Sequence, residues 1–149
     1  MNDFLHFWLH SPLATAIISW FTAQLLKVII FLIQNKKIDI SRFVGSGGMP
    51  SSHSSTVTAL ATAIAFTDGT RSSTFAISVI LAVIVMYDAA GVRRAAGQQA
   101  VILNKIIEDW GKASFSDTEK KLKELLGHTP KQVFAGALLG IFIGVIRHI

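Results

Sequence analysis

Four long stretches of this chain carry no charged residue. Positions 11–26 are uncharged, and the run resumes over 28–33 after Lys27; the others are 43–67, 72–87 and 132–146. A membrane-spanning helix needs about 20 mostly apolar residues, with roughly 17 as the short limit. The pattern therefore predicts spans at about 11–33, 51–67, 72–90 and 130–147. The second and fourth are short and rich in Ala, Gly and Thr, so buried core helices of a soluble protein are their alternative reading. The expected fold class is all-α, a polytopic membrane helix bundle of about four transmembrane helices plus short interfacial helices. Residues 1–149 read as a single membrane-embedded domain.

Composition agrees. The chain is 51% hydrophobic and only 15% charged, against about 25% in ordinary soluble domains, and its mean hydropathy is +0.52. There is no cysteine, which removes disulfide frameworks and thiolate metal sites. Met1-Asn2-Asp3 lacks the basic region of a signal peptide, so the first span is expected to be retained. The net charge of +5 matters less than its placement. With four spans, Lys36, Lys37, Arg42, Arg93, Arg94, Lys105, Lys112, Lys120, Lys121, Lys123 and Lys131 fall on one side, and Arg71 and Arg147 on the other. The positive-inside rule assigns the richer side to the cytoplasm. Setting aside Arg42, Arg93 and Arg94 does not change that sign. Both termini are then expected outside, in a plasma membrane of bacterial type. In the long loop, 92–110 interleaves Val92, Ala96, Val101, Ile102, Ile106 and Trp110 with polar residues, and 117–126 reads as a short helix capped by Ser116 or Asp117. Both suit the membrane surface.

Three constellations carry chemistry. In Gly45-Ser-Gly-Gly-Met-Pro-Ser-Ser-His53 a glycine-rich loop with Gly47 and Gly48 runs into Pro50 and a helix start capped by Ser51 or Ser52. Unpaired N–H groups and the positive dipole end there suit a phosphate oxyanion, and His53 in the first turn can donate a proton to it; the alternative is an ordinary capped loop. In Tyr87-Asp88-Ala-Ala-Gly91-Val-Arg93-Arg94 the two arginines diverge on a helix, so one faces the site and one the surface, and guanidinium forks match phosphate. Asp88 at the membrane boundary wants an arginine partner; the alternative is a charged flank anchoring the helix end. Finally, His128, Gln132, Gly136, Gly140 and Gly144 recur every fourth residue and share one helix face. Small residues at that spacing mark close packing in membranes, within the bundle or between copies in a homo-oligomer. Gln24 and Lys27 share a face of the first span, where Lys27 either reaches this region or snorkels to the headgroups. Four spans place His53, Arg93, Arg94 and His128 on the same side.

These residues resemble a divergent branch of the type-2 phosphatidic acid phosphatase family, whose superfamily includes the vanadium haloperoxidases. Pro50-Ser51-Ser52-His53 looks like the family's Pro-Ser-Gly-His motif, with Ser52 in the glycine place. His128-Thr-Pro-Lys-Gln132 looks like its His-xxx-Asp motif, with Gln132 in the Asp place. The resemblance runs from Gln24 to Gly144. It implies His128 as nucleophile, forming a phosphohistidine, and His53 as general acid. It implies Arg93 or Arg94, Ser51, Ser52, Gly48 and the helix N–H groups as holders of the phosphoryl oxygens, with Lys27 in the place of a motif-one lysine. The sequence departs from the pattern at Leu122, where the family carries arginine, and it has no Arg-Pro pair; Arg42 is the arginine nearest that region.

The activity so implied is hydrolysis of a lipid-linked phosphate monoester or diphosphate, with no metal and no cofactor, at a membrane-embedded site facing the cytoplasm and with no nucleic-acid partner. Its main rival is a non-catalytic protein that keeps the fold and binds anionic lipid or a partner, favoured by Gln132. A small transporter or channel would suit the glycine stripe, but no inverted repeat accompanies it.

Overall fold

A computed structural model describes residues 8, 11–37, 48–111 and 127–149. Arg42, Gly45–Gly47, Leu122 and the 117–126 segment lie outside them. Among the described residues five helices follow in order: α1 (Pro12–Asn35), α2 (Ser52–Thr67), α3 (Ser73–Ala90), α4 (Val92–Gly111) and α5 (Pro130–His148). No strand occurs among the described residues, and the chain is an all-α membrane bundle.

Helix ends follow local chemistry. Pro12 occupies the first turn of α1, where a missing N–H costs nothing. The helix stops at Lys36, which turns left-handed (φ 52°) and returns its N–H to the Leu32 carbonyl. Ser51 and Ser72 cap α2 and α3 by accepting from the N–H groups of Ser54 and Phe75. Thr129 and Gln132 form a reciprocal capping box at the start of α5, with Pro130 just inside. α4 starts immediately after Gly91, whose N–H still bonds the Tyr87 carbonyl and whose own carbonyl accepts from Ala95 N–H.

The bundle is built inside out relative to a soluble protein. Among the described residues the buried apolar side chains are alanines, such as Ala14, Ala23, Ala59 and Ala63, while Ile77, Ile80, Phe134 and Phe142 face outward. In lipid, large aliphatic side chains gain nothing by leaving the surface, and helices associate through small residues and hydroxyls. Among the described residues three helical stretches are long and apolar enough to span: Pro12–Asn35, Ser73–Ile106 and Pro130–His148. α2, with 16 residues, covers only about 24 Å at ~1.5 Å per residue. It is the central helix, packed against α1, α3 and α5, so protein rather than lipid surrounds most of it. Its hydroxyls are internally satisfied: Thr56 donates to Ser52 O (2.7 Å), Thr58 to Ser54 O (2.8 Å) and Thr62 to Thr58 O (2.8 Å). Ser19 of α1 donates to Ser55 O at 3.0 Å, and the two serine hydroxyls lie 2.6 Å apart.

The glycine stripe packs within the bundle. A side chain at Gly136 would strike Ser51, one at Gly140 would strike Ser55 and Thr58, and one at Gly144 would strike Thr62. α5 thus lies directly on α2, backbone to backbone, and the start of one helix is registered against the start of the other.

Candidate functional site

Three chain segments meet at the first turn of α2. Ser51 N–H donates to the Gln132 carbonyl at 3.0 Å, fastening the start of α2 to α5. His128 N–H donates to the Ala89 carbonyl at 3.0 Å, fastening the segment before α5 to the end of α3. Gly127 presses on the backbone of Arg93 and Arg94, leaving no room for a side chain. The constellations around residues 50, 90 and 128 are therefore one place in space.

His128 is 1% exposed. Its ring and that of His53 meet edge to face with centroids 5.8 Å apart. His53 Nδ1 and His128 Nε2 are buried and meet no hydrogen-bond partner among the described residues. Unpartnered buried polar atoms are uncommon in native proteins. His128 Nδ1 lies 3.4 Å from Gln132 Oε1. That oxygen also accepts from Thr129 N–H, at 2.9 Å, so Gln132 both caps α5 and addresses the imidazole. Burial pushes the His128 pKa down to about 4; the Gln132 hydrogen bond opposes this, and the charges of Lys27 and His53 add to it.

Lys27 reaches this site. It is 3% exposed, and its ammonium donates to Gln24 Oε1 at 2.7 Å and to Ser52 Oγ at 3.3 Å. Gly48 lies over the lysine stem, 3.5 Å from its carbons to an added Cβ, with φ +95°. That conformation is easy only for glycine. Ser51 and Ser52 are both buried. Ser51 is occupied as the cap, accepting from Ser54 N–H and from the Ser54 hydroxyl.

The arginine pair divides unequally. Arg93 Nε donates to Asp88 Oδ2 at 2.6 Å in an ion pair that is partly exposed, and Arg93, Lys27 and Asp88 are charges that act on His53. Asp88 thus has the arginine partner its position calls for, at the rim rather than in the interior. Arg94 is exposed; its backbone is held by Gly127, and no described contact carries its side chain to the histidines. Gln24 belongs to the site through Lys27 and was signalled in the sequence only by the three-residue spacing. The Ala89 carbonyl, which holds His128, left no signal, because any residue type supplies it.

The gathered groups are two imidazoles, an ammonium, a hydroxyl, a guanidinium and the N–H end of a helix. This donor set is what a tetrahedral oxyanion requires. Comparison with known sequences identifies the family. Residues 8–143 match the family described as the Divergent PAP2 family. The chain is 46% identical over 145 residues to the uncharacterized membrane protein YuiD of Bacillus subtilis (strain 168), covering 91% of this chain and 92% of that one. No solved structure matches. The chain is an integral membrane protein of PAP2 type and belongs to the Divergent PAP2 family.

Proposed function

We propose that this chain is a membrane phosphatase acting on a lipid-linked phosphate monoester or diphosphate, through a phosphohistidine and without a metal. The observation that carries the reading is the His53–His128 pair beside the N-terminus of α2 and Lys27, each ring with a buried nitrogen that has no partner among the described residues. With the His128 proton on Nδ1, toward Gln132 Oε1, the Nε2 lone pair is available to phosphorus. The P–N bond forms as the bond from phosphorus to the leaving oxygen breaks, and His53 gives that oxygen its proton. Water then attacks phosphorus and passes a proton to His53. The P–N bond breaks, releasing inorganic phosphate and returning neutral His128. Lys27, the Ser52 hydroxyl and the first N–H groups of α2 hold the phosphoryl oxygens. Arg93, with Nε on Asp88, offers its terminal amino groups. Fixed donors of this kind act by stabilising charge in the transition state.

The charge distribution, read by the positive-inside rule, supports a site at the cytoplasmic headgroup plane, where the phosphate of a membrane lipid resides. One observation favours a second reading, a non-catalytic binder of anionic lipid. Gln132 stands where a carboxylate would hold an imidazolium, and its carbonyl is already shared with Thr129 N–H. Phosphate release by purified protein from phosphatidate, phosphatidylglycerophosphate and isoprenyl diphosphate separates the two. Turnover is expected on at least one lipid and is abolished by His128→Ala at unchanged melting temperature. No turnover on any of them, or turnover per folded molecule that survives His128→Ala, leaves the binding reading.

A further inference from the structure

α3 and α5 touch little across the face of α2, and between them lies a cavity of about 370 Å³. Its walls are almost wholly apolar and include Ala61, Ala65, Phe75, Ala82, Met86 and Ile141. α2 contributes small side chains here, so the groove is deep; α3 and α5 supply the rims. Thr58 and Thr62 also line it, but their hydroxyls are bonded back to carbonyls of their own helix and ask nothing of an occupant.

The groove lies along the same two helices, α2 and α3, that meet at the histidine site. Thr58 lies five residues beyond His53 and Ala65 twelve, so the groove covers a depth of about 7.5 to 18 Å below His53 at ~1.5 Å per residue. Met86 lies three residues before Ala89, whose carbonyl holds His128. The apolar walls thus begin about 7.5 Å from His53 along α2 and run on toward the other end of the bundle.

We infer that this groove holds one hydrocarbon chain of the lipid whose phosphate sits between His53 and His128; the inference rests on the proposed function. The volume is near the low end for small-molecule sites, roughly 300–1,000 Å³, which suits one chain rather than two. Walls without polar groups offer a headgroup nothing to bond.

The test uses phosphatidate with a diazirine midway along one acyl chain, photolysed with the wild-type protein in detergent, the labelled residues read by mass spectrometry. Labels are expected on groove residues such as Ala82, Val83 and Ile141. Phosphate release from long-chain and short-chain phosphatidates is measured in parallel. Val83 lines the groove and is 54% exposed; Val83→Trp is expected to reduce the long-over-short ratio of kcat/KM about tenfold, as removal of a few methylene contacts does. Ile84, exposed but not lining the groove, is the control, and Ile84→Trp leaves the ratio as it was. Equal labelling of Ile77, Ile80 and Phe142 on the outer surface, or cross-links in the groove between two copies of the chain, overturns the inference. Phosphate release with labels outside the groove removes the groove and keeps the phosphatase. Groove labelling without phosphate release on any lipid keeps the groove and removes the phosphatase.

Discussion

Lys27 is the most exposed to test among single residues, because a buried ammonium in a membrane span is a functional suspect by default. Its hydrogen bonds to Gln24 and Ser52 place its charge at the first turn of α2. If it binds the phosphoryl group, Lys27→Met weakens vanadate binding roughly 10- to 100-fold, the worth of a charge-assisted hydrogen bond. The melting temperature then holds or rises, since a buried charge has been removed. A fall in melting temperature with unchanged vanadate affinity would make Lys27 structural. His128 carries a pH dependence. Burial drives its pKa down to about 4, whereas an unfolded imidazole takes its proton near ~6.5. Between these values the unfolded chain binds more protons, so this contribution to stability is intact above about pH 6.5 and is lost as pH falls toward 4. Thermal melts at pH 7.5 and 5 should show a larger acid loss for wild type than for His128→Asn; equal losses would refute the assignment. Gln132→Glu keeps the acceptor for Thr129 N–H and adds a carboxylate for the imidazolium of the reaction. It is expected to preserve or raise kcat, and a clear fall in kcat at equal melting temperature would argue against His128 as nucleophile.

At the level of elements, the seam between α2 and α5 sets the site. Gly136, Gly140 and Gly144 allow α5 to approach until its backbone meets Ser51, Ser55 and Ala59. This brings Gln132 O to Ser51 N–H and aligns the two helix starts. Gly140→Val must push the helices apart, at a cost of about 1–3 kcal/mol typical of overpacking. It should lower the melting temperature in detergent, whereas Phe134→Ala on the outward side should change it little. Loss of an oligomer with an unchanged melting temperature would instead assign the stripe to contacts between chains. The capping box at Thr129 and Gln132 has a second effect beyond ending the helix. It fixes the Gln132 side chain at the place from which it also reaches His128.

For the molecule as a whole, topology decides whether the proposed site can meet a cytoplasmic lipid phosphate. Four passes would put the start of α2, the end of α3 and the start of α5 on one side, and these three ends are joined through Ser51–Gln132 and His128–Ala89. The far end has its own ties: Arg147 donates to Thr15 Oγ1 and to the Trp8 carbonyl, and Phe66 stacks on His148. Single cysteines at Lys120 and Asn2 are expected to react with a membrane-impermeant reagent from opposite sides of sealed cells, with Asn2 labelled from outside. Labelling of both from one side would remove the four-pass arrangement.

The uncharged runs determine the helices, because a segment that enters hydrocarbon must satisfy its own backbone. The boundaries at Pro12, Ser51, Ser72 and Pro130 follow from capping chemistry, which is local. The glycine stripe was legible for the same reason: its spacing is a property of one helix. Even the candidate histidines could be read, since Pro50-Ser51-Ser52-His53 and His128-Thr-Pro are contiguous motifs. Distances across helices could not. Whether Lys27 snorkels or turns inward depends on what covers it, and Ser52 and Gly48 cover it only after α1 and α2 pack. Which arginine faces His53 depends on the rotation of α4 after Gly91 and on the grip of Asp88. The depth of α2 in the bundle, which makes a 16-residue helix sufficient, and the groove beside it exist only as the gap left by α3 and α5. Local patterns encode what one segment does with its own backbone; burial and convergence are properties of pairs of segments, and only packing settles them.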